Sequence, residues 1–242
     1  MSGGGAEAFV AEVVEAHGGR ERWESVRAIR GRVRTGGLLP RTRFPGNRLR
    51  DARLEVEPGA VRAVGSPFPA AGRRGVYERG EVRIETDDGR VLASRSQPRE
   101  AFFGRSGMRR NLRWDELDTG YFAGYAWWNY LSFPVLLLRD GVEVERTGPR
   151  RLDVTFPPGI DTHSPRQSFH LDDELRLRRH DYTAEVVGRW ARAVHLCERH
   201  VTVDGLVLPT KRRVYPAGPG ERRLPAPTLV ALDLSEIEVD YS

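Results

Sequence analysis

Residues 191–215, ARAVHLCERHVTVDGLVLPTKRRVY, decide the fold class. Apolar and polar residues alternate on both sides of Asp204-Gly205. That pair favours the left-handed backbone of a two-residue hairpin turn, so the stretch predicts two antiparallel strands, 191–203 and 206–215. The same pattern recurs outward in both directions. Strands are expected over 28–35, 48–56, 61–64, 75–86 and 90–96, and again over 142–147, 151–156, 167–171, 174–187 and 228–241. Asp87-Asp88-Gly89 and Asp172-Asp173 mark further turns, and the prolines of 66–72 mark a loop.

Two segments break the pattern. Residues 6–17 place Phe9, Val10, Val13 and Val14 at helical spacing opposite Glu7, Glu12 and Glu15, and Gly18-Gly19 follow as a stop signal. A short second helical stretch, 20–26, holds Trp23. Residues 98–138 lack period-2 alternation and contain REAFFGRSGM, the acidic WDELD and the aromatic YFAGYAWWNYLSF, ended by Pro134. They read as a helical insertion. The expectation is a mainly β (α+β) chain forming one domain over 1–242. It would be a single strongly curved antiparallel sheet, a half-barrel of about ten strands, with helices covering its concave face and 98–138 acting as a lid.

Composition narrows the function. The chain has 39 basic and 34 acidic residues, a net charge of +5, and 39% hydrophobic residues. Lys211 is the only lysine. Such a bias fits a GC-rich coding sequence better than selection for phosphate contacts. The arginine pairs are dispersed and mostly near acids, so no nucleic-acid stripe is expected. A lone cysteine, Cys197, precludes an internal disulfide and suits a reducing compartment. With neither a signal-peptide pattern at the start nor an apolar run of membrane-spanning length, a cytoplasmic location is expected.

The layout resembles the LolA/LolB/LppX-like lipoprotein-carrier fold, a half-barrel whose helices lid an apolar cavity. The resemblance is carried by VAEVVEAHGGRERWESVRAIRGRV (10–33) and by the strand–insertion–strand order. WDELDTGYFAGYAWWNYLSFP (114–134), DTHSPRQSF (161–169), RHDYTAEVV (179–187) and PTKRRVYP (209–216) look similar to an uncharacterised bacterial family common in actinobacteria. What the fold resemblance implies is a cavity for a hydrophobic molecule. Lipoprotein transport is a different matter, since carriers work outside the cytoplasm and need an export signal.

Seven of the chain's 5 Trp, 7 Tyr and 9 Phe lie between 121 and 133. As a helix, this segment is large and apolar on almost every face, so it must be buried nearly all round. Either it plugs the core, or Tyr121, Phe122, Tyr125, Trp127, Trp128, Asn129 and Tyr130 wall a ligand cavity, where Tyr and Trp tips find acceptors. Candidates for proton transfer are His163, in a Pro- and Gly-bounded loop, and Tyr182, Asp181 and His195 on neighbouring strands. Small residues around His195 leave room for a ligand, and Tyr182 and His195 become cross-strand neighbours if a turn near Gly188 pairs their strands. Each histidine also has a plainer reading as an exposed or sheet-bonded residue. His180, His195 and His200 are not at zinc-ligand spacing, and no nucleotide or nucleophile-elbow motif is present, so neither metal nor cofactor is expected. Two functions compete. One is a cytoplasmic binder of a lipid-, polyketide- or terpenoid-like molecule. The other is a cofactor-independent isomerase, cyclase or dehydratase acting on such a substrate, as in natural-product biosynthesis.

Overall fold

Strand β1 (Val26–Gly36) sits at the middle of the sheet, hydrogen-bonded on one side to β2 (Asp51–Glu57) and on the other to β13 (Val230–Tyr241). From β2 the sheet steps outward through β3 (Arg62–Ser66), β4 (Arg73–Glu78), β5 (Glu81–Thr86) and β6 (Val91–Ser96). From β13 it steps through β12 (Leu206–Pro216), β11 (Arg192–Val203), β10 (Leu177–Thr183), β9 (Arg166–Leu171), β8 (Arg151–Thr155) and β7 (Glu143–Gly148). Every pairing is antiparallel, and β6 and β7 are free edges, so the sheet is open. The computed structural model describes residues 3–44, 46, 49–104, 107, 110 and 112–242. Arg48, at the expected start of one strand, lies outside these residues, as do Arg105, Ser106, Met108, Arg109 and Asn111 of the expected insertion.

Thirteen strands are present among the described residues, not about ten. The clearest difference is the single strand expected over 75–86, which is a hairpin. Arg79 and Gly80 both take positive φ, 45° and 80°, and turn the chain between Glu78 and Glu81. The expected Asp204-Gly205 turn has the same geometry, with φ 48° and 86°, and joins Val203 directly to Leu206.

Helix α1 (Gly3–Ala16) buries Phe9, Val10, Val13 and Val14, and Gly18 (φ 121°) and Gly19 (φ 88°) end it. His17 is fully buried: its Nδ1 bonds the Val13 carbonyl and its Nε2 accepts from the Leu177 amide, tying α1 to β10. Short helices α2 (Arg20–Glu24) and α3 (Leu38–Arg43) flank β1. The aromatic segment is α4 (Glu116–Leu131). Asp115 caps it, accepting from the Asp118 amide, while the Asp118 side chain accepts from the Asp115 amide. Asp118, almost fully buried, also pairs with Arg110 and Arg95. The acidic WDELD is thus the N-terminus of a helix, where negative charge is favoured.

From Asp118 to Leu131 every residue of α4 except Gly120 is buried, so it is an interior helix wrapped by the sheet. Its closest backbone approach is to β3, β4 and β5, which glycine permits. A Cβ on Gly124 would lie 2.2 Å from the Tyr77 Cβ, and one on Gly65 would lie 2.6 Å from the Trp127 ring. No comparable backbone approach occurs on the side of β9–β12, where long side chains fill the interval. Among the described residues no helix is long and apolar enough to cross a membrane.

Candidate functional site

The polar tips of α4 are largely spoken for by the protein itself. Tyr121 and Tyr77 both donate to Asp161, at 2.9 and 3.0 Å. Asn129 donates to the carbonyls of Tyr125 and Asp161, at 2.7 and 2.8 Å. Trp128 donates to the Pro58 carbonyl at 3.2 Å, with the Arg139 guanidinium over its ring. Phe122 packs on Trp114 and Phe44, and Trp127 covers Gly65. The face carrying Tyr121 and Tyr125 therefore meets the 157–165 loop and β4 directly. Clefts of about 600, 580, 550 and 590 Å³ lie elsewhere: the first is lined by β7–β11, Ala217 and Glu221, the second lies between α1 and β7, the third on β1–β3 and β13, and the fourth beside α2. None of the expected ligand-wall residues lines any of them, whereas Asp181 and Tyr182 line the first.

The loop holding His163 turns inward, so this histidine is buried beneath α4 rather than exposed. Its Nδ1 meets the Tyr125 hydroxyl at 3.2 Å and its Nε2 the Tyr130 hydroxyl at 2.9 Å. In a neutral imidazole one of these nitrogens donates and the other accepts. Tyr130 continues to the Tyr182 hydroxyl at 3.4 Å, and the Tyr182 ring stacks on His163 with centroids 3.9 Å apart. Burial, aided by the charge of Arg99, pushes His163 down to about 3. Burial pushes Tyr130 up to about 12, against the bond from Tyr182, and Tyr182 well above its ordinary value.

The register of β10 on β11 sets His180 opposite His195 and Tyr182 opposite Ala193. Tyr182 and His195 are therefore diagonal neighbours, with rings 6.1 Å apart and nearly perpendicular. Strict alternation would put Leu177 on the face opposite His180. The register shift between Leu177 and Arg179 turns both inward, because a bulge adds one residue to β10. His180 stacks on Phe169 and bonds Gln167. His195 is fully buried, its ring 4.7 Å from that of Tyr130, and neither ring nitrogen has a hydrogen-bond partner among the described residues. Burial, with Arg212 and His180 nearby, pushes it well below the ordinary histidine range.

The structure brings His163, Tyr182 and His195 together and leaves Asp181 apart. Alternation along β10 points Asp181 to the outer face, where its carboxylate bonds Arg179 and faces His170 at 3.3 Å. Burial opposes its ionisation, but these two partners hold it below the usual carboxylate range. Sequence reasoning missed Gln167 and Arg212. Arg212, on β12, is 2% exposed, donates to Cys197 Sγ at 3.2 Å and to the Tyr130 carbonyl at 2.9 Å, and lies over the Tyr130 ring. Its inward alternation with Val214 was a legible signal, lost among so many arginines. Among the described residues, no group of three His, Cys, Asp or Glu is placed to hold a metal ion.

No protein-family model and no curated protein matches the chain. Among solved structures it is similar to a DUF1329 family protein from Desulfovibrio piger ATCC 29098, at 13% identity and a TM-score of 0.47, covering 97% of this chain and 93% of that one. It is also similar, at 12% identity with the same coverage and a TM-score of 0.49, to a protein from Nitrosomonas europaea of the LolA superfamily, the group whose fold the sequence resembles.

Proposed function

We propose that the protein binds a hydrophobic small molecule, lipid-, polyketide- or terpenoid-like, between α4 and strands β9–β12. The observation that carries this reading is His195, an imidazole sealed from solvent with both nitrogens unpartnered among the described residues. Buried polar groups nearly always have a partner, and leaving one without costs about 1–3 kcal/mol. A bound molecule with one polar group offsets that cost. The position suits it: α4 sits tightly on β3–β5 but is separated from β9–β12 by side chains, which can repack more readily than backbone. Tyr130, Tyr182 and Ala193 surround the opening such repacking would create.

Turnover of such a molecule by isomerase, cyclase or dehydratase chemistry would draw on the same Tyr130–Tyr182–His163 chain. An efficient proton-transfer group titrates near the working pH. His163 is displaced far below neutrality and Tyr182 far above, which favours binding over catalysis. The test is native mass spectrometry of the purified protein for a co-purifying apolar ligand, with a melting-temperature screen of hydrophobic compounds. Retention of one, weakened in Tyr130→Ala, supports the reading. No retained ligand and no stabilising compound would sink it.

A further inference from the structure

We infer that the polar end of the bound molecule is a carboxylate, that Arg212 is its counter-ion and that His195 is a second donor to it; this rests on the binding reading above. Arg212 and Arg110 are the two buried arginines among the described residues. Arg110 pairs with Asp118 and Asp115, whereas no carboxylate among those residues makes an ion pair with Arg212. Its protein acceptors are a thiol sulfur, which is weak, and one backbone carbonyl. That carbonyl belongs to Tyr130 in the last turn of α4, where the helix dipole contributes roughly half a negative charge. The dipole explains why a cation sits there, but it leaves part of a buried charge uncompensated, and isolated buried charge is strongly unfavourable.

His195 stands beside it on the same face. Cys197 pairs with Arg212 and His195 with Val214 in the register of β11 on β12, so the two side chains are diagonal neighbours flanking the Tyr130 ring. A guanidinium and a neutral imidazole N–H can together hold one carboxylate. The surrounding histidines are held neutral by burial, so they add donors and no charge. One cation matches one singly charged group, which favours a carboxylate over a doubly charged phosphomonoester. The partner is therefore an apolar carboxylic acid.

The test compares binding of dodecanoate, methyl dodecanoate and dodecyl phosphate to the wild type, Arg212→Lys and Arg212→Met, followed by tryptophan fluorescence. Wild type is expected to bind dodecanoate at least roughly tenfold tighter than the methyl ester. Arg212→Met should lose that preference while still binding the ester, and Arg212→Lys should keep part of it. Without ligand, Arg212→Met should melt no lower than wild type, because the uncompensated charge is gone. Equal binding of acid and ester, or tighter binding of the phosphate, overturns the carboxylate and leaves the binding reading standing. Binding of none of the three overturns both. A fall in melting temperature of more than about 10 °C in Arg212→Met would make the arginine a clamp on the end of α4 and also overturn the proposal. If Arg212→Met does not fold, Arg212→Lys decides the matter: a weakened preference for the acid supports the counter-ion, and full retention overturns it.

Discussion

Acid should strongly destabilise this protein between about pH 6.5 and about pH 5, well above the range in which carboxylates alone would do so. Four histidines, His17, His163, His180 and His195, are buried in the folded state. Burial, only partly opposed by the bond to the Val13 carbonyl, holds His17 down to about 4. It holds His163 down to about 3, and His180 and His195 well below the ordinary value. In the unfolded chain each titrates near about 6.5. Between these values the unfolded state binds more protons than the folded one. The stability that the neutral rings contribute is therefore fully present above about pH 6.5 and is lost as pH falls toward the folded values. At pH 5, about 1.5 pH units below the unfolded value, His17 and His163 each remove about 2 kcal/mol. His17 and His163 together account for about 4 kcal/mol, and His180 and His195 act in the same direction. Total stabilities of domains are about 5–15 kcal/mol, so the loss is a large share of the whole. Urea unfolding followed by tryptophan fluorescence from pH 8 to 4.5 measures the loss, and calorimetry in buffers of different ionisation enthalpy counts the protons taken up. A stability constant to within about 1 kcal/mol between pH 7.5 and 5, or uptake of fewer than about one proton on unfolding at pH 5, would refute the reasoning.

Two substitutions test the packing of the interior helix. Gly124→Ala brings a methyl 2.2 Å from the Tyr77 Cβ, which is anchored in β4 and cannot swing aside. It should cost about 1–3 kcal/mol or more, while Gly5→Ala on the open face of α1 should stabilise by about 0.5–1 kcal/mol; thermal melts compare the pair. Asp118→Ala removes one half of the capping box of α4 and takes from Arg95 and Arg110 the more buried of the two carboxylates they share, leaving Asp115. A loss of about 3–5 kcal/mol is expected in denaturant titrations, and a loss under about 1 kcal/mol would mean that Asp115 carries both arginines.

The strand pattern was legible because period-2 alternation and Asp-Gly turns act locally. Asp204-Gly205 turned as its residue types demand. Arg79-Gly80 escaped notice because 75–86 also reads as one continuous alternation. What the sequence hid was non-local. Nothing near Leu177 signals the bulge, which is set by pairing with β9 and carries His180 inward. His163 sits in a loop of the kind that is usually exposed, and non-local contacts draw it beneath α4: its bonds to Tyr125 and Tyr130, its stacking on Tyr182 and the bonds of Tyr121 and Asn129 to Asp161. Asp181 shares a strand with Tyr182, but one step along a strand reverses the face. The alternation of Arg212 with Val214 hinted at an inward face, but that no carboxylate among the described residues pairs with it emerges only from the whole fold.

The pairing of β1 with β13 places Val26 opposite Tyr241 at the centre of the sheet. The two wings, β2–β6 and β7–β12, are joined through this one seam, apart from the α4 segment that links them in sequence. Each wing can form from hairpins between successive strands, whose loops close quickly. The seam cannot form until chain segments about two hundred residues apart meet, so it should be the slow step of folding and the last protection gained against hydrogen exchange. The face that packs around α4 lies on both wings, with Tyr77 on one and Tyr182, His195 and Arg212 on the other. The interior around α4 is thus assembled in the same event that closes the seam, and partly folded chains would present two separate half-sheets, each with an unprotected central edge.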